Sequence, residues 1–369
     1  MNINFESQSD VFDILDAEPF VSTAEAEETE FKLDEEFPKS ICGQYIPVVP
    51  NEREKRRLRY FYSKAAIAVL LAFILAGAFE YALTELAEYA LKAVNGGEHY
   101  AGGYDALLSA TALPGILVNM GTMLFPLLAA FFVGCRSTGL RPREFLERRK
   151  KVSLPMCLVH TAAAFCLILL IDEYSLMIAN NLELEYAGMS FPKFSDIQSL
   201  AAWGICYIIA MPICEELFFR GFLLKNLSRA NYFFGIVMSS IFYGLFMRNI
   251  WQAVPALALG VTLGLLALRG GSVRKCIAVH SAIYALLLVT QYVRELVIPD
   301  RDSFLWFGLL FIPLLVAASM YAELLYESPA FQYGYHHKTR GFAVAMTLLT
   351  LDLTIMLMFY EMCARTFLA

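Results

Sequence analysis

Charge is scarce in this chain. Only 17% of its 369 residues are Asp, Glu, Lys or Arg, against 58% hydrophobic ones, and mean hydropathy is +0.54. Soluble domains carry more charge and less apolar surface, so a water-soluble globular protein is excluded. No His-Glu-x-x-His is present, which argues against a zinc protease of that type, and no glycine-rich phosphate loop supports an ATP-driven machine. The eight cysteines form no Cys-x-x-Cys pair. Cys157, Cys166, Cys206, Cys214 and Cys276 lie inside apolar runs and read as small buried hydrophobes, not as a disulfide framework or a zinc cage. Of the few histidines, His336 and His337 sit in a loop without carboxylates at ligand spacing, so no metal site is expected there, and no cofactor is implied elsewhere. A basic, short-hydrophobic, small-residue signal sequence is also missing, so the first apolar span is expected to act as the insertion signal.

What is abundant is apolar runs of membrane-spanning length, such as Ala65 to Phe79, Leu113 to Gly134 and Phe304 to Met320. The expected fold class is all-α: a polytopic helical membrane protein of about nine transmembrane helices. The spans fall near 65–88, 113–135, 152–176, 198–226, 231–248, 253–269, 275–293, 303–325 and 341–362. Residues 1–50 carry twelve acidic side chains against Lys32 and Lys39, while the whole chain is at −6, so the rest is net positive. That asymmetry marks a tail, not a nucleic-acid surface.

Basic residues Arg53, Lys55, Arg56, Arg57, Arg59 and Lys64 precede the first span and place the N-terminus in the cytoplasm. Loops after even-numbered spans are basic, with Arg136 to Lys151, Lys225 and Arg229, Arg274 and Lys275, and Lys338 and Arg340. The long loops after the first and third spans carry Lys92 and Lys193 alone, while Arg248, Arg294 and Arg301 are exceptions in the shorter external loops. The chain divides into an acidic, disordered cytoplasmic tail (1–60), N-terminal helices (61–197), a core (198–293) and C-terminal helices (294–369). A helical hairpin is expected at Arg248 to Gln252.

Ionisable side chains inside spans are expensive and mark function by default. The densest group is Pro212-Ile213-Cys214-Glu215-Glu216-Leu217-Phe218-Phe219-Arg220-Gly221. Glu216 and Arg220, at i and i+4, can neutralise each other on one face. Glu215 points about 100° away and lacks that partner. One carboxylate is thus paired and one available, which is how a site separates a structural carboxylate from a general base. A helix-packing salt bridge beside a helix-end carboxylate accounts for the spacing equally well. Glu80 and Asp352, in the first and last spans, read as interhelical hydrogen-bond partners, and Gly260 with Gly264 as a close-packing face.

The motif Glu215-Glu216-Leu217-Phe218-Phe219-Arg220-Gly221, the run Leu259 to Leu266, and Gly270-Gly271-Ser272 leading to His280 together resemble the CPBP family, the CAAX-protease and bacteriocin-processing intramembrane glutamic proteases. The resemblance covers Leu200 to Leu288, about a quarter of the chain. It implies a site inside the membrane, opening towards the cytoplasm, where a glutamate and a second-motif histidine activate water and a third-motif histidine and asparagine stabilise the oxyanion. Carried over by position, Glu215 is the general base, Glu216 and Arg220 the orienting pair, and His280 an oxyanion donor.

Two positions depart from the family pattern. Phe246 stands where the water-activating histidine is expected, and Tyr284 where the asparagine is expected. A tyrosine hydroxyl can still donate to an oxyanion, and Tyr284 lies one turn after His280. Phe246 can neither donate nor accept, and an apolar ring beside Glu215 would desolvate it. His160, in the third span, is a candidate replacement. Straight-helix arithmetic puts Glu215 roughly 18 Å, Phe246 roughly 22 Å and His280 roughly 8–10 Å from their cytoplasmic turns, so they can converge only if helices are tilted, offset or broken.

Three functions remain open. An intramembrane endopeptidase would hydrolyse a membrane-associated peptide or protein with glutamate-activated water. A catalytically impaired relative would bind such a partner without cutting it, and a small transporter would use Glu80, Glu215 and Asp352 as an ion path. The expected partners are membrane lipids and a membrane-associated substrate, with no nucleic acid; the expected location is a cell membrane, the bacterial plasma membrane fitting best.

Overall fold

The computed structural model describes residues 52–94, 109, 111–146, 154–229, 232–270, 273–297 and 347–367. Among them there are helices and no strand. In chain order they are α1 (Glu52–Val94), α2 (Leu113–Thr138), α3 (Leu154–Asn181), α4 (Ile197–Leu227), α5 (Tyr232–Phe246), α6 (Ile250–Gly270), α7 (Val273–Val297) and α8 (Leu349–Phe367). Six of them, α1 to α4, α6 and α7, are long and apolar enough to cross a membrane, and α5 is a shorter apolar helix. The chain is a multi-pass helical membrane protein. The nine expected spans are not all met among the described residues: the span at 303–325 lies outside them, as do residues 1–51 of the acidic tail. α8 covers 349–362 of the ninth span and runs five residues past its expected end. α1 already begins at Glu52, inside the segment assigned to the tail.

Local chemistry sets the helix ends. α2 stops at Gly139, whose φ of 72° lets its N–H reach the Cys135 carbonyl and satisfy an orphan acceptor of the last turn. α4 starts at Asp196, whose carboxylate accepts the Ser199 N–H at 3.1 Å. α5 and α6 form the expected hairpin through Met247–Asn249. It is tight because α6 presents glycines: a Cβ on Gly260 would lie 2.9 Å from the Ser240 Cα, and one on Gly264 3.2 Å from Ile236. The Gly-x-x-x-Gly is therefore the close-packing face read from the sequence.

α4 is the central element, touching α2, α5 and α7. It is not a uniform α-helix. Gly204–Ala210 and Glu216–Leu223 are π-helical, separated by the short α-helical stretch Met211–Glu215. The wide turns are sealed by i→i−5 bonds, Met211 N–H to the Cys206 carbonyl and Leu224 N–H to that of Phe219. Pro212 has no N–H for the carbonyl four residues back and its ring crowds the preceding turn, so a wide turn just before it relieves both. α3 packs on α6 and α7, α1 on α2, and α8 on α1. The outward faces carry Ile67, Ile74, Phe125, Phe132, Ile205, Ile209, Val289 and Phe359, all exposed, as helices in contact with lipid require.

Candidate active site

The wide turns of α4 bring its two carboxylates against α5 and α7. Glu216 lies 3.2 Å from Arg220 and its Oε1 is 2.8 Å from the His280 Nδ1 of α7. These three side chains are almost completely buried. The pair expected at i and i+4 is present, and it acquires the histidine as a third member. The His280 Nε2 faces the other carboxylate, 3.6 Å from the Glu215 Oε2. His280 is thus held by Glu216 and lies close to Glu215 without a hydrogen bond to it, and its ring packs at a tilt on Tyr284 with centroids 4.8 Å apart.

Glu215 finds its closest partner on α5. The Tyr243 hydroxyl donates to Glu215 Oε2 at 2.9 Å. The Arg220 guanidinium sits over the Tyr243 ring at 4.6 Å, and Phe219 packs its edge at 4.9 Å. Phe246, three residues further along α5, packs on Phe219 instead, with centroids 5.9 Å apart. The ring beside Glu215 is therefore Tyr243, not the expected Phe246. His160 is buried on α3 with Nδ1 2.8 Å from the Met156 carbonyl of its own helix.

A cavity of about 570 Å³ borders this cluster. Its wall includes Glu215, Tyr243, Tyr284 and Tyr207, but not Glu216, Arg220, His280 or Phe246. Glu216 is thus sealed behind the wall, and Glu215 is the carboxylate that faces the space. From there the cavity runs to Glu80, Arg248 and Arg365 and to the strap 182–196. The strap is held from below: the Trp251 indole donates to the Glu185 carbonyl at 3.0 Å, Gln252 to the Ala187 and Gly188 carbonyls at 3.3 Å, and the Tyr292 hydroxyl to the Pro192 carbonyl at 2.7 Å.

The resemblance implied an opening towards the cytoplasm. The cavity instead reaches the end of the bundle away from Lys225, Arg229, Arg274 and Lys275, which is the external end in the orientation expected from the basic loops. The short α5 explains this. Its fifteen residues span only about 22 Å, so the hairpin turn lies below the ends of the longer helices and leaves a basin that the strap roofs.

A second ionic group lies at this end. Arg248 donates to Glu80 at 2.6 Å, and Arg365 to Glu80 at 2.7 and 2.8 Å and to Glu361 at 2.8 Å. Glu80 is thus an interhelical partner, as the sequence suggested. Arg248, an apparent exception to the charge bias of the loops, is its counter-ion.

These features define a helical membrane protein with one ion-paired and one cavity-facing glutamate on adjacent positions of a widened helix. Residues 197–286 match the family model described as type II CAAX prenyl endopeptidase Rce1-like. The CPBP resemblance is therefore borne out over α4 to α7, the stretch that supplies all the residues of the buried cluster; α1 to α3 and α8 lie outside the match. No curated protein and no solved structure matches the chain.

Sequence reasoning missed Tyr243. The signal was present, because Tyr243 precedes Phe246 by three residues and so shares its helix face, and it is a polar-tipped residue in an otherwise apolar motif.

Proposed function

We propose that the protein is an intramembrane endopeptidase that hydrolyses a peptide bond of a membrane-associated peptide or protein. The observation that carries this is the separation of two neighbouring carboxylates, Glu216 sealed with Arg220 and His280, Glu215 on the cavity wall beside Tyr243 and Tyr284. Water held at Glu215 loses a proton to the carboxylate as its oxygen bonds the carbonyl carbon. The tetrahedral intermediate places its charge on the former carbonyl oxygen, towards which Tyr284 can donate from the cavity wall. Collapse breaks the C–N bond, and the proton on Glu215 passes to the leaving amine. Glu216 and Arg220 hold His280, which in turn braces Glu215, so His280 acts as a positioning group rather than the oxyanion donor implied by the resemblance. The apolar walls exclude bulk water and strengthen every interaction in the site.

Cleavage of a proteome-derived peptide library by nanodisc-embedded protein tests this, with Glu215→Gln beside it. Cleavage by the parent that the variant loses supports the proposal; equal cleavage by both, or none by folded parent, overturns it. The packing of Phe246 on Phe219 favours a second function, a relative that binds its peptide without cutting it, which would return a bound peptide intact.

A further inference from the structure

The family pattern supplies a histidine to hold the attacking water beside the glutamate, and this chain has Phe246 there. A replacement must meet three conditions: it must touch Glu215, reach the cavity, and offer a hydrogen-bond acceptor to water. His280 fails the second, being fully buried, off the cavity wall and committed through Nδ1 to Glu216. Phe246 fails all three. Tyr284 lies on the wall, but its hydroxyl pairs with that of Tyr243 and not with Glu215, so it fails the first.

Tyr243 meets them all. Its hydroxyl already donates to Glu215 Oε2 at 2.9 Å, and the residue lines the cavity. A phenol that donates its one proton keeps lone pairs free to accept. Its orientation is fixed by Arg220 on one face of the ring and by Phe219 at 4.9 Å, in a side chain 1% exposed.

We propose that Tyr243 is a catalytic residue that anchors the attacking water: its hydroxyl hydrogen stays on Glu215 while its oxygen accepts one water hydrogen, and the free Glu215 oxygen takes the other. In the step that follows, the water oxygen bonds the carbonyl carbon, the hydrogen facing Glu215 transfers to that carboxylate, and Tyr243 remains protonated throughout. One hydroxyl on α5 thereby does the work of the absent histidine from a position one turn earlier on the same helix.

This rests on the protease assignment above, and the experiment separates the two. Nanodisc-embedded full chain is assayed on the peptide library with the parent, Glu215→Gln, Tyr243→Phe and Tyr243→His. Phenylalanine is the better packing substitute, since it keeps the ring under Arg220 and against Phe219. Histidine packs worse but restores a donor and an acceptor. The expected order of kcat is tyrosine, then histidine, then phenylalanine, with Tyr243→Phe reduced about 10²-fold at a KM changed less than threefold and an unchanged melting temperature. Phenylalanine as active as tyrosine, or more active than histidine, overturns the role of Tyr243 while a silent Glu215→Gln leaves the protease standing. A Glu215→Gln variant that still cleaves, or a folded parent that does not, overturns both.

Discussion

Among the described residues, two four-membered groups of charged and histidine side chains border the same internal space, and they are built to opposite ends. The inner one combines Glu215, Glu216, Arg220 and His280; the outer combines Glu80, Glu361, Arg248 and Arg365. In the outer group both carboxylates are consumed: Glu80 is bridged by both guanidiniums and Glu361 takes Arg365 at 2.8 Å. It ties α1, the α5–α6 turn and α8 together with side chains between about a tenth and two fifths exposed. In the inner group one guanidinium serves two carboxylates: Glu216 takes Arg220 at 3.2 Å and His280 at 2.8 Å, while Glu215 has the Tyr243 hydroxyl at 2.9 Å and the His280 Nε2 at 3.6 Å. Complete neutralisation makes a staple; incomplete neutralisation, in a place shielded from water, leaves a carboxylate suited to the base role proposed above.

Substitutions can break this contrast, beginning with the largest effect. Glu215→Gln is expected to lower kcat by at least 10³-fold with the fold intact, whereas Glu80→Gln leaves kcat within threefold; parallel turnover assays on the peptide library check both. Arg220→Met leaves Glu216 buried with His280 alone, and loss of one partner of a buried pair costs about 3–5 kcal/mol, so its melting temperature should fall by many degrees. In the outer group, Arg365→Met should cost about 1 kcal/mol at most, since water already screens those charges. The smallest effect comes from salt. Raising NaCl from 0.1 to 1 M contracts the screening length from about 10 to 3 Å, which should narrow the stability gap between parent and Arg365→Met but leave that between parent and Arg220→Met unchanged.

The inner carboxylates were legible in the sequence because charge within an apolar run is rare, and Glu216 with Arg220 follows from helical spacing alone. His280 was named through the family motif, although helical arithmetic placed it at a different depth from Glu215. The two meet at 3.6 Å because α4 contains two wide turns and its neighbours start at different heights, neither of which hydropathy encodes. Tyr243 escaped for another reason. Tyrosine is an ordinary residue in apolar helices, and only its depth relative to α4 gives it a partner. The outer group was half visible: Glu80 stood out inside a span, while Arg248 looked like noise in a charge count. Its φ of 59°, strained for any residue with a Cβ, shows that the turn accommodates this side chain at a local cost.

The π-helical stretches on either side of Glu215 have a consequence for how this site tolerates change. A wide turn contains one residue more than the α-helix around it would need, so it behaves as an insertion absorbed by the ladder. Exchanging a side chain there leaves the phase of the helix alone. Removing one residue between Glu216 and Arg220 would let the turn relax to ordinary α-helix, which keeps the phase of the helix beyond but moves Arg220 from i+4 to i+3 of Glu216. Arg220 would then no longer face Glu216 as it does, with every residue type of the motif still present. The arrangement is therefore guarded by residue count as much as by residue identity: a single-codon deletion in this stretch would erase a site that many substitutions would leave standing.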